Sequence, residues 1–129
     1  MYAYLLVFAG GGLGALCRFA ATSLVGRSLG TKFPWGTMAV NVAGSLAMGL
    51  VIAWLGRRSA GDAHLRLLLA TGFLGGFTTF SAFALDTANM VERGDPVAAL
   101  SYVLASVVGG LIALFAGLMI VRALSGAGA

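Results

Sequence analysis

Four apolar runs, at 2–25, 34–55, 65–91 and 97–121, constrain this chain more than any other feature. Each holds 22 to 27 residues, and at 1.5 Å per residue a helix of that length crosses a hydrocarbon core of about 30 Å. Trp35 and Trp54 stand nineteen residues apart at the two ends of the second run. That separation equals about 28 Å of helix, the spacing of two interfacial anchors. The composition agrees. The 129 residues are 60% hydrophobic and only 9% charged, against roughly 25% charged in a soluble domain. Eight Lys/Arg, four Asp/Glu and one His cannot cover the surface of a water-soluble globule. Disorder is excluded for the opposite reason, because the chain is too apolar to stay solvated. The fold expected is an all-α, multi-pass membrane protein with one four-helix transmembrane domain over 1–129.

The net charge of +4 does not indicate nucleic-acid binding. Arg18, Arg27, Lys32, Arg57, Arg58, Arg66, Arg93 and Arg122 are scattered, and no basic stripe interleaves with aromatics. The single cysteine, Cys17, can close no intrachain disulfide. Gly10–Ala15 reads G-x-G-x-x-A, a string that mimics a dinucleotide fingerprint. The fingerprint needs a strand before it and an acidic residue about 20 positions on, whereas the first acidic residue here is Asp62. A secretory signal is also a poor fit, since the first run lacks a basic leader and contains Arg18. No nucleophile–base or metal constellation accompanies His64, so an enzyme is not expected.

Orientation is nearly undetermined by charge. With four crossings, Arg57, Arg58, Arg66 and Arg122 share one side, and Arg27, Lys32 and Arg93 share the other. Four against three is almost no Lys/Arg bias, which allows insertion both ways and pairing of two inverted copies. Glycine supplies 20 residues, about twice its usual share. Gly10 with Gly14, and Ala105, Gly109, Ala113 and Gly117, recur every four residues, as small-xxx-small stripes for close helix contact.

Polar residues inside the spans are the functional candidates, because a polar group in hydrocarbon needs a partner or a wet path. Thr37, Asn41 and Ser45 fall one turn apart on one face of the second run, as do Tyr102 and Ser106 in the fourth. They are donors of hydroxyl and amide hydrogens, and they serve equally as cross-links between helices. Arg18 either snorkels to the interface or acts as a fixed cation that concentrates anions at a pore mouth. In the third run, Gly75–Gly76 followed by Thr78, Thr79 and Ser81 is poor material for an unbroken helix. Carbonyls freed at such a break suit a hard cation such as Na⁺. Phe73, Phe77 and Phe80 are expected on one face, with Phe80 and Phe83 as an i, i+3 pair. Those rings either pack or turn their positive edges to an anion. Asp86 is the one carboxylate well inside an apolar run.

Three segments together, Gly10–Arg18, Gly36–Asn41 and Gly72–Ser81, closely resemble the Fluc (CrcB) fluoride channel family, and the resemblance covers the whole chain. It implies an inverted, dual-topology homodimer in the bacterial inner membrane that passes fluoride passively and selectively, lowering cytoplasmic fluoride. It implies two pores along the subunit interfaces and a structural Na⁺ on the dimer axis, held by the carbonyls of Gly75 and Thr78 from both copies. By motif position, Phe80 and Phe83 would line the fluoride path with ring edges, and Asn41 would donate to the ion. Thr37, Tyr102 and Ser106 match the polar track beside it, and Arg18 matches an arginine of electrostatic or structural support. Gly110 departs from the pattern, standing where some relatives carry a further hydroxyl. Two other classes fit the size. A proton-coupled small multidrug exporter wants a carboxylate in the first helix, where this chain has Arg18. A non-transporting scaffold leaves Asn41, Thr78, Thr79 and Arg18 without a role.

Overall fold

A computed structural model describes residues 1–58 and 63–126; Asp62, with the rest of 59–62 in the second loop, lies outside the described residues. All four apolar runs are helical and long enough to cross a membrane. They are α1 (Tyr2–Leu29), α2 (Trp35–Leu55), a composite third crossing and α6 (Pro96–Gly126). The third crossing comprises α3 (Ala63–Leu65), a π-helical segment (Arg66–Leu74), α4 (Gly75–Phe77) and α5 (Phe80–Glu92).

Local chemistry sets the ends. The first helix extends four residues past the apolar run and stops at Gly30, whose φ of 81° is the left-handed conformation that glycine adopts freely. Gly94, at φ 79°, turns the chain between α5 and α6 in the same way. Pro34 and Pro96 stand at helix starts, where a missing N–H deprives no bond. Trp35 and Trp54 mark the ends of α2 as the spacing requires.

Two helix pairs approach at backbone distance, and glycine permits both. A Cβ at Gly10 or Gly14 would collide with the carbonyls of Leu68 or Phe73 in the π-helical segment, and one at Gly76 with the carbonyl of Gly11. In the second pair, a Cβ at Gly49 would strike the Leu114 carbonyl, and one at Gly117 the Leu46 carbonyl. The periodic stripe on α6 is used unevenly: Gly117 meets backbone, while Gly109 has only the Val42 side chain at 3.6 Å from an added Cβ. The buried core is small. It centres on Met90, Ala99 and Tyr102, with Phe33, Met38 and Phe83 packed against them. Large apolar side chains along α1 and α6 are exposed on the protomer, as a lipid-facing or subunit-facing surface requires.

The third crossing is broken, but not at the glycine pair. Gly75 keeps helical angles of φ −63° and ψ −36°, and Gly76 is held helical against the Gly11 backbone. The chain leaves the helix two residues later, at Thr78 (φ −83°, ψ 157°) and Thr79 (φ −150°, ψ 114°). Both are β-branched residues that favour extended backbone. Thr78 also sends its hydroxyl to the Leu74 carbonyl at 3.0 Å. The Thr79 hydroxyl accepts from the Ala82 N–H at 3.2 Å and so caps the restarted helix. The break separates the expected phenylalanine face. Phe73 and Phe77 stack with each other at 6.1 Å, and Phe80 turns instead to Phe83. The π-helical winding of Arg66–Leu74 has no counterpart in the apolar periodicity.

Candidate functional site: a polar groove at the helix break

Breaking a helix inside a membrane frees backbone groups that must be satisfied within the protein. At this break one side chain does most of it. Asn41 accepts from the Thr79 N–H at 2.7 Å through Oδ1 and donates from Nδ2 to the Thr79 carbonyl at 3.0 Å. An amide has two N–H donors, so one Nδ2 hydrogen remains without a partner among the described residues. The Thr79 N–H is the donor that would have continued the helical ladder to Gly75. Its diversion to Asn41 leaves the Gly75 carbonyl without that partner, at an exposed position of the protomer. Thr78 is extended, with its carbonyl outside any helical ladder. Both oxygens are hard, neutral donors of the kind that could hold a cation such as Na⁺.

Asn41 opens onto a groove of about 310 Å³ between α2, the break and α6. Ser45, Thr78, Thr79, Phe80, Phe83 and Ser106 line it with Asn41. Ser106 is 9% exposed, and its Oγ has no hydrogen-bond partner among the described residues. An orphaned hydroxyl in a membrane protein costs free energy unless something passing by uses it. Ser45 donates to the Asn41 carbonyl at 2.8 Å, which leaves its oxygen facing the groove without a spare hydrogen.

A file of rings borders the groove. Phe80 and Phe83 lie 5.5 Å apart at 47°, and Phe83 lies 5.2 Å from Tyr102 at 42°. Phe33 closes the file edge-on to Tyr102 at 5.6 Å. Phe80 is 80% exposed on the protomer, so the groove opens sideways rather than being enclosed by one chain. Tyr102 is fully buried and does not line the groove, nor does Thr37. They stand one step behind it: the Tyr102 hydroxyl lies 3.4 Å from Asp86 Oδ2 and has Thr37 and Ser106 as its other polar neighbours. Asp86 in turn borders a second, smaller hollow of about 150 Å³, lined by Thr31, Lys32, Asn89 and Arg93. Polar residues therefore lead from that hollow through Asp86 to the Tyr102 hydroxyl, beside which stand Thr37 and Ser106, and Ser106 shares the groove wall with Asn41.

Among the expected site residues, the fold brings Asn41, Phe80, Phe83 and Ser106 to one groove and sets Thr37 and Tyr102 beside it. It does not bring Arg18 there. Arg18 is half-buried on α1, its side chain has no partner among the described residues, and only its carbonyl is used, by Thr22 Oγ1 at 2.9 Å. Ser45 and Thr79, polar candidates in the sequence to which the resemblance assigns no role, are groove residues too. The i, i+4 spacing of Asn41 and Ser45 was the available signal. Gly110 faces this same region: a Cβ there would sit 3.4 Å from Ser45 Oγ.

The comparisons with known proteins point the same way. The family described as CrcB-like protein, Camphor Resistance (CrcB), matches residues 5–118. The fluoride-specific ion channel FluC of Chelativorans sp. is 56% identical over 124 residues, covering 96% of this chain and 99% of that protein. The fluoride-specific ion channel FluC of Mesorhizobium japonicum is 53% identical, with 96% and 99% covered. That of Rhodopseudomonas palustris is 51% identical over 122 residues, with 95% and 98% covered. Four apolar crossings, a third one broken and tied down by an asparagine, and a match over almost its whole length together make this chain a member of the CrcB family.

Proposed function

We propose that this protein is a fluoride-selective channel that lets fluoride leave the cell passively across the inner membrane and so lowers cytoplasmic fluoride. The reading rests on relatives named as fluoride-specific ion channels and above all on one structural observation. The groove at the helix break combines an unshared amide hydrogen on Asn41, an orphaned hydroxyl on Ser106 and the rings of Phe80 and Phe83. FluC proteins are ion channels and not enzymes.

The chemistry suits the ion. Fluoride is small and strongly hydrated, so a pore must replace its water with donors while holding it weakly enough to release it. Asn41 Nδ2 and the Ser106 hydroxyl supply neutral donors in the groove, Tyr102 and Thr37 back them from one step behind, and the ring edges supply weak positive potential. No charged side chain lines the groove, which avoids trapping the ion. An inside-negative potential drives an anion outward by about 2.3 kcal/mol per charge per 100 mV, so export needs no pump.

The working unit in this reading is a homodimer of inverted copies, with two pores along the subunit interfaces. The near balance of four against three Lys/Arg supports insertion both ways. The exposure of Phe80 supports a groove completed by a second copy. A structural Na⁺ would be held by the Gly75 and Thr78 carbonyls of both copies, pinning the two breaks at the axis. Arg18 gives electrostatic or structural support away from the groove.

The test is anion release from liposomes holding the purified protein, started with a potassium ionophore and read with fluoride and chloride electrodes. Fast fluoride release with chloride retained is expected. Release of neither ion from folded protein, or equal release of both, contradicts the proposal.

A further inference from the structure

At the end of the molecule away from the Asp86 hollow, α2 and α6 finish side by side and enclose an open pocket of about 380 Å³. Its lining divides by depth. Ile52, Ala53 and Leu118 form an apolar floor, and Arg57 and Arg122, one turn or more further toward the helix ends, form a cationic rim. Trp54 fixes the level of that rim, since the Arg58 guanidinium stacks 4.3 Å above its ring and tryptophan sits at the headgroup boundary.

The two rim arginines are available. Arg57 donates one N–H, from Nη1 to the Val121 carbonyl at 3.3 Å, which leaves four of its five. Arg122 makes no side-chain bond among the described residues. The described acidic residues, Asp86, Glu92 and Asp95, belong to α5 and the turn after it, at the opposite end. Two guanidinium forks from neighbouring helices, above an apolar floor and at headgroup level, match a phosphate ester carrying an acyl-glycerol tail.

We propose that this pocket binds the headgroup phosphate of an anionic phospholipid, with the start of its glycerol and acyl chain on Ile52, Ala53 and Leu118. The site is separate from the fluoride groove and does not depend on transport. Each arginine near an anionic headgroup contributes about a five-fold factor in affinity, and the pair roughly thirty-fold.

The experiment titrates the detergent-purified protein with phosphatidylglycerol, with phosphatidylcholine and with inorganic phosphate, and counts retained ligand by native mass spectrometry. Phosphatidylglycerol is expected to bind the unaltered protein well above phosphatidylcholine. Its binding should fall about five-fold in Arg122→Gln and roughly thirty-fold in Arg57→Gln/Arg122→Gln. Arg27→Gln/Arg66→Gln removes the same charge outside the pocket and should leave binding unchanged. Because Arg122 makes no side-chain bond among the described residues, its single variant keeps the test valid if the double variant fails to fold. Equal binding of the two lipids, an equal loss in Arg27→Gln/Arg66→Gln, or inorganic phosphate binding as tightly as the lipid would each overturn the proposal.

Discussion

Asn41 carries two roles, and substitutions can separate them. Its amide closes both backbone groups of Thr79, so Asn41→Leu orphans a donor and an acceptor at about 1–3 kcal/mol each. A clear drop in unfolding temperature is expected. Asn41→Asp keeps an acceptor for the Thr79 N–H, gives up the donor to the Thr79 carbonyl and sets a negative charge in the groove. It should fold and yet pass fluoride more than about ten-fold more slowly, since like charges at contact cost several kcal/mol. Near-normal flux in that variant would remove Asn41 from the path. Ser106 offers the converse case. Its buried hydroxyl makes no well-formed hydrogen bond among the described residues and has the Tyr102 hydroxyl as a polar neighbour, so Ser106→Ala should cost no more than about 1 kcal/mol. Its fluoride flux should fall, because the groove loses a hydroxyl donor. Unaltered flux with unaltered stability would make Ser106 a bystander.

At the scale of helices, the close pairs should respond to single methyl groups. Gly14→Ala drives a Cβ into the Phe73 backbone, which cannot move aside as a flexible side chain can, and should cost at least about 1–3 kcal/mol. Gly12→Ala meets nothing within 4 Å and should be neutral or stabilising by up to about 1 kcal/mol through helix propensity. Thermal unfolding of the two variants in one detergent compares them directly, and equal stability would refute the tight α1 contact. The same contrast shows what the sequence could and could not reveal. Four crossings were legible because apolar length is a property of the chain itself. The glycines of α1 were legible as a stripe, but Gly12 and Gly14 differ only by the face they turn to the third crossing. The stretch from Gly75 to Ser81 reads as poor helix material, and within it the break falls at Thr78–Thr79, because tertiary contact with Gly11 keeps Gly76 helical. The separation of Phe80 from Phe73 and Phe77 follows from a break that falls between Phe77 and Phe80. The Asn41–Thr79 pairing spans 38 residues, a distance over which no local pattern reports.

For the whole molecule, the groove's open flank at Phe80 and the exposed position of Gly75 are what the proposed second copy would cover. Purified protein should have a detergent-corrected mass of twice 13.1 kDa, and cysteines added at both ends should label from both sides of the membrane. A monomer that conducts would contradict the inverted-dimer proposal. The proposal assigns selectivity, passivity and the absence of coupling to this assembled unit, and one electrical measurement reads them together. Current across a planar bilayer is recorded with a ten-fold fluoride gradient, symmetrical chloride and no pH gradient. The account predicts reversal near the fluoride equilibrium potential, about 59 mV for one charge, unmoved when chloride or pH is then made asymmetric. Reversal near zero, or a reversal potential that follows chloride or pH, would contradict it.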